Sequence, residues 1–211
     1  MSATSAPFGL RPAFHPSGLD RAQALAGGIA SAFPSNILKG QPVKYVTGGA
    51  IQPAAAGEAF VGAFAGVQFT DTTGRARVSN YWPANTAYQA GSCVAYFYAD
   101  QNIVYEIQAD GSLLQSSVGD EADLSNTTAG STTTGLSQCT VSTTLVGAGN
   151  SAQVRILDIA PYPDNAWGDA SPLFVSTLVS TSLHLQLAPP FNKEGMNHGS
   201  PNAQYRLSVN C

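Results

Sequence analysis

Asp120-Glu121-Ala122-Asp123 is the densest group of chemically capable side chains in the sequence. The four letters spell a metal-coordinating motif of RNA helicases, whose chemistry also requires a phosphate loop of the form GxxxxGK followed by Ser or Thr. Gly130 to Gly135 supplies the glycine spacing alone, and Leu136-Ser137 stands where the lysine pair belongs. Without the lysine nothing offsets phosphate charge. The carboxylates of Asp120, Glu121 and Asp123 could coordinate calcium, a hard cation that takes clustered oxygens, but the glycine and glutamate of the EF-hand loop are missing. A solvated acidic turn is the expectation. His15, His184 and His198 stand apart from one another, none within a recognised metal-binding pattern, and no GxSxG elbow presents a serine. Abundant Ser, Thr and Asp would permit a triad assembled from distant positions, for which composition is no evidence. Cys93, Cys139 and Cys211 are an odd set without metal or redox spacing. Cys93 lies in an apolar run as a small hydrophobe would, and no disulfide within the chain is expected. The sequon Asn126-Thr127-Thr128 carries meaning only behind a secretory leader. The residues thus predict no catalytic, cofactor or metal site, and a protein that is not an enzyme.

Composition says what must position such residues. Of 211 residues 44% are hydrophobic, enough for a core, while only 10% are charged, against roughly 25% in an average soluble domain. Twenty-one Gly, 21 Ser and 16 Thr replace them, a mixture that suits strands and turns over charged surface helices. A net charge of −4 is weak and of the wrong sign for nucleic acid. No apolar run reaches the ~20 residues of a membrane span. The opening MSATSAPFGLRP has neither the basic nor the apolar region of a leader, so a reducing cytoplasm is the expected folding compartment.

Along the chain, residues 1–36 are broken by Pro7, Pro12, Pro16 and Pro34 yet carry Phe8, Leu10, Phe14, Leu25, Ile29 and Phe33. Such a segment predicts an extended N-terminal arm. Residues 37–188 read as a β core domain. Gln41 to Ala54 reads as a hairpin around Gly48-Gly49. Residues 59–69 form a strand with Phe64, Gly66 and Gln68 on one face and Ala63, Ala65, Val67 and Phe69 on the other. Residues 93–98 and 103–108 are aromatic and β-branched, with Ile103, Tyr105 and Ile107 opposing Val104, Glu106 and Gln108. Tyr81, Trp82, Tyr88, Tyr96, Phe97, Tyr98 and Tyr105 sit mostly at strand spacing, as core or interface residues do. Residues 116–138 are a polar surface loop, and strands return at 139–146, 153–159 and 173–187. Pro189-Pro190 opens a C-terminal arm, 189–211. The predicted fold class is all-β, a compact β-barrel or jelly-roll-like sandwich with two extended arms.

Several segments, taken in order, resemble capsid decoration (cement) proteins of tailed bacteriophages. They are Ala6 to Pro12, Asn36 to Val43, Phe60 to Gly66, Tyr81-Trp82-Pro83 and Asp164 to Gly168, within a resemblance spanning residues 6–187. The extra C-terminal arm departs from it. The resemblance implies a non-enzymatic virion protein, made in the host cytoplasm, that binds the outer capsid surface. It would stabilise that surface by bridging subunits of the major capsid protein. Its partners would be that protein and further copies of itself, as a dimer or trimer, with no nucleic acid, membrane or cofactor. The apolar content of the arms nominates Phe8, Leu10, Arg11, Phe14, Phe191, Tyr205 and Leu207 as contact residues. The alternatives are another virion component, such as a tail or fibre protein, and a β-sandwich carbohydrate-binding or hydrolase module.

Overall fold

The runs of β-branched and aromatic residues become strands, and Gly, Pro and Asn turns separate them. A computed structural model describes residues 4–17, 24–149 and 151–179. The expected C-terminal arm 189–211, with Phe191, Tyr205 and Leu207, lies outside the described residues, as do His184, His198 and Cys211. Fourteen strands and one short 3-10 turn, Gln115–Ser117, make up the regular structure described. The all-β expectation holds.

The first sheet has the antiparallel order β1 (Arg11–Phe14), β8 (Val104–Gln108), β14 (Leu173–Leu178), β13 (Val154–Ile159), β9 (Glu121–Ser125) and β12 (Thr140–Leu145). The second runs β2 (Ala24–Gly27), β7 (Val94–Tyr98), β5 (Gly62–Thr70), β3 (Pro42–Tyr45) and β4 (Ile51–Pro53). The nine-residue β5 shares its second edge between β3 and β6 (Ala76–Ser79). A two-stranded hairpin, β10 (Gly130–Ser131) with β11 (Leu136–Ser137), stands apart. Neither sheet closes into a barrel, and the arrangement is that of a β-sandwich.

Alternation assigns the faces. Ile103, Tyr105 and Ile107 point into a cluster with Leu10, Phe60, Ala63, Leu124 and Val154, drawn from both sheets. The predicted opposition along β8 is therefore correct. On its other face the second sheet buries Phe64, Val67, Phe69 and Phe97 beneath Ile29, Ile37 and Trp82. Trp82 meets Phe69 and Tyr88 edge to face, with centroids 5.4 and 5.9 Å away, a favoured geometry for aromatic quadrupoles. The predicted faces of β5 need correction here. Phe64 joins Val67 and Phe69 because the register against β7 slips between Phe64 and Gly66. One extra residue, Ala65, inverts the alternation beyond it.

The hairpin around Gly48-Gly49 forms as predicted, with Tyr45 opposite Ile51. The segment 116–138 is not a simple surface loop. It contains β9, and Glu121 on it is 1% exposed. Arg155, its neighbour in register on β13, approaches Glu121 Oε1 at 2.6 Å. A buried carboxylate needs such a partner, so the acidic run is a strand start and not a solvated turn. Cys93 and Cys139 are both free thiols. Burial pushes the Cys139 thiol up to about 12.

Within the expected N-terminal arm, the described segments 4–17 and 24–36 lie against the core. β1 is an edge of the first sheet and β2 an edge of the second. The chain between Phe8 and Leu10 crosses residue 40 at close range. The Leu10 N–H donates to the Gly40 carbonyl at 2.8 Å, with Gly9 and Gly40 at φ of +77° and +82°. A Cβ on Gly40 would stand 2.8 Å from the Phe8 carbonyl oxygen. Glycine at both positions permits the crossing.

Three buried glutamines join the loops to the sheets. Gln153, 2% exposed, accepts at Oε1 from Gly57 N–H (3.0 Å) and Leu124 N–H (2.9 Å). Its Nε2 donates to the carbonyls of Ala55 (3.0 Å) and Glu58 (2.6 Å). One side chain thus satisfies four backbone groups, three on the β4–β5 connection and one on β9. Gln153→Ala strands the buried Leu124 N–H and frees the part-buried groups of residues 55–58, and each buried unpaired polar group costs about 1–3 kcal/mol. We expect Gln153→Ala to lower stability by about 2–3 kcal/mol in urea titration, with an unchanged denaturant slope. A loss under about 1 kcal/mol would show that water replaces the amide there.

Candidate interaction surface

β1 begins after Leu10 and lies antiparallel to β8, with Arg11 opposite Glu106, Pro12 opposite Tyr105 and Phe14 opposite Val104. Proline lacks the N–H that a central strand must supply, so Pro12 belongs on an edge. The other edge of β1 carries no strand among the described residues. A register slip between Pro12 and Phe14 bends the strand and turns Phe14 outward, 51% exposed.

Arg11 organises the outward face. Its guanidinium lies over the Phe8 ring, 4.6 Å from the centroid, and its Nε donates to Glu106 Oε2 at 3.0 Å. Nη2 donates to Glu106 as well and, at 3.0 Å, to the Tyr162 hydroxyl. The Tyr162 hydroxyl donates in turn to the Glu106 carboxylate, 3.0 and 3.1 Å from its two oxygens. Hydrogen bonding to that carboxylate holds the Tyr162 phenol above its ordinary pKa. Phe8, Arg11, Glu106 and Tyr162 therefore form one fastened, partly exposed group beside Phe14.

Of the described contact residues predicted from sequence, Phe8, Arg11 and Phe14 share this surface. Leu10 does not. It is 1% exposed and packs in the cluster between the sheets, because the crossing at Gly40 turns it inward. Glu106 and Tyr162 complete the surface and were missed by sequence reading. Tyr162 is 151 positions from Arg11, and no local pattern links the two.

The structure also gathers a group that sequence spacing left scattered. His15 Nε2 is 3.3 Å from Asp100 Oδ2, and its Nδ1 is 2.6 Å from Ser17 Oγ. A hydroxyl against an imidazole held by a carboxylate is an arrangement that general-base chemistry uses. Here the Ser17 N–H also approaches Nδ1, at 3.1 Å, so amide and hydroxyl converge on one lone pair in a local turn. Ser17 is exposed, and the Asp100 side chain is 48% exposed. The geometry is that of a clasp fastening the end of β1 to the β7–β8 turn. Among the described residues no three His, Cys, Asp or Glu side chains converge as a metal site, and no helix is long and apolar enough to cross a membrane.

No protein-family model matches the chain, and no curated protein or solved structure matches it. The surface on β1 therefore rests on its own geometry.

The two neighbours Leu10 and Arg11 separate anchoring from presentation. Leu10→Ala empties a packed site, for which large-to-small core changes cost about 2–5 kcal/mol. Arg11→Ala removes an ion pair whose Arg side chain is 51% exposed, where solvent screening leaves under about 1 kcal/mol. Chemical denaturation should separate the two variants in that order. Equal losses would show that Arg11 carries structural weight beyond the exposed pair.

Proposed function

We propose that this chain is a non-enzymatic structural protein of a tailed-phage virion. It binds the outer surface of the capsid and stabilises the shell by bridging major capsid protein subunits, acting as a dimer or trimer. The observation that supports this reading best is the edge strand β1. It is held from behind by Leu10, leaves its outer edge open, and presents Phe14 beside the fastened Phe8–Arg11–Glu106–Tyr162 group. A rigid aromatic and arginine surface of this kind suits protein contact, where such residues dominate binding energy. The low share of charged residues, 10%, limits the desolvation cost of covering a large face. Repeated contacts on one lattice then add through effective concentration.

A protein that binds only the assembled shell stabilises it by mass action. Decorated particles should release DNA at a higher temperature than particles stripped of this chain. Phe14→Asp should keep the melting transition of the free protein and reduce particle occupancy at least about ten-fold, the equivalent of ~1.4 kcal/mol. Equal DNA release from stripped and decorated particles would end the stabilising role. Labelled protein found only on tails would move the chain to another part of the virion.

A further inference from the structure

A second feature lies away from β1. A cleft of about 450 Å3 opens between residues 33–38, the end of β4 and the loop leading into β10. Its volume falls in the range of small-molecule sites, roughly 300–1,000 Å3. No ionisable side chain lines it. The polar residues lining it carry amides and hydroxyls, among them Asn36, Gln52, Thr128 and Thr132, and its apolar lining includes Phe33, Pro34, Leu38 and Pro53.

The walls are fixed before any ligand arrives. Gln41, 1% exposed, accepts Leu38 N–H at 2.8 Å and donates to the Thr127 carbonyl at 2.8 Å, tying the 38–41 wall to the 127–130 wall. Asn36 Oδ1 accepts Ala84 N–H at 2.8 Å, which orients its amide and leaves Nδ2 as the donor on the other side. Ile37 and Trp82 exchange backbone hydrogen bonds of 3.0 and 2.8 Å directly behind it. Preorganised groups of this kind lower the entropic cost of binding.

We propose that this cleft binds a neutral, hydroxyl-rich saccharide unit. Amide side chains offer both donor and acceptor, and hydroxyls offer either, which matches the mixed donor and acceptor pattern of sugar hydroxyls. The ring faces of Phe33 and the prolines suit the C–H face of a pyranose. An anion finds no cation here, and a charged sugar finds no counter-charge. An extended peptide is disfavoured because strand addition uses main-chain donors. The β4 edge ends at Pro53 and the facing wall carries Pro34, neither of which has an N–H. The site is independent of the capsid reading, since it shares no residue with the β1 surface.

The test is amide NMR on the full chain, titrated separately with glucose, galactose, mannose, N-acetylglucosamine, N-acetylneuraminic acid and tetra-alanine. At least one neutral sugar should shift the Asn36 and Gln52 side-chain amides in a saturable way, with a Kd of about 1–10 mM. Gln52→Ala should weaken that sugar at least about ten-fold, and Thr132→Arg, on an exposed position, should obstruct the cleft equally. Both variants should keep the wild-type backbone spectrum. The proposal is overturned if no neutral sugar shifts these amides, or if only the acidic sugar or the peptide does. Undiminished affinity in folded Gln52→Ala and Thr132→Arg would also overturn it.

Discussion

Two sheets that share a core leave long connections between them, and where the backbone of a connection is covered it has no ladder to join. Every such N–H and carbonyl must find a partner, or each costs a sizeable fraction of the stability of a domain this size. Here backbone turns supply many of the partners, and three glutamine side chains supply others. Gln153 serves the β4–β5 connection and β9, and Gln41 serves the 38–41 turn and Thr127. Gln108 accepts Ala6 N–H and donates to the carbonyls of Thr4 and Ser171. A neutral amide is suited to this work because it carries donors and an acceptor and needs no counter-charge in a dry interior. A chain with few charged residues can thereby remain rigid in its loops.

The same economy shapes the N-terminal segment. Gln108 holds residues 4–6, the glycine crossing at Gly9 and Gly40 passes the chain across the turn before β3, and Leu10 enters the shared core. Only beyond that anchor does the chain present Arg11 and Phe14. A surface built on a strand fixed from behind loses little conformational entropy when covered, the condition under which exposed aromatics bind well. The His15 clasp to Asp100 secures the other end of β1. Residues that look alike in sequence thus part: Leu10, just before β1, enters the core, while Phe14 at the end of β1 faces outward.

The sequence by itself determined the all-β class, the Gly48-Gly49 hairpin and the inward set Ile103, Tyr105 and Ile107. Each depends on local chemistry: turn conformation, β-branching and a two-residue period. It also nominated Phe8, Arg11 and Phe14, which lie together. Tertiary structure alone decided the rest. The bulge at Ala65 inverts one face of β5 because it depends on register against β7, a distant strand. Glu121 is buried because Arg155 arrives beside it, and Leu10 turns inward because Gly40 lies across its path. Tyr162 and Glu106 join Arg11 from positions 151 and 95 residues away. Periodicity reports which residues share a face, but pairing partners at long range decide which way that face points, and a single-residue slip reverses it.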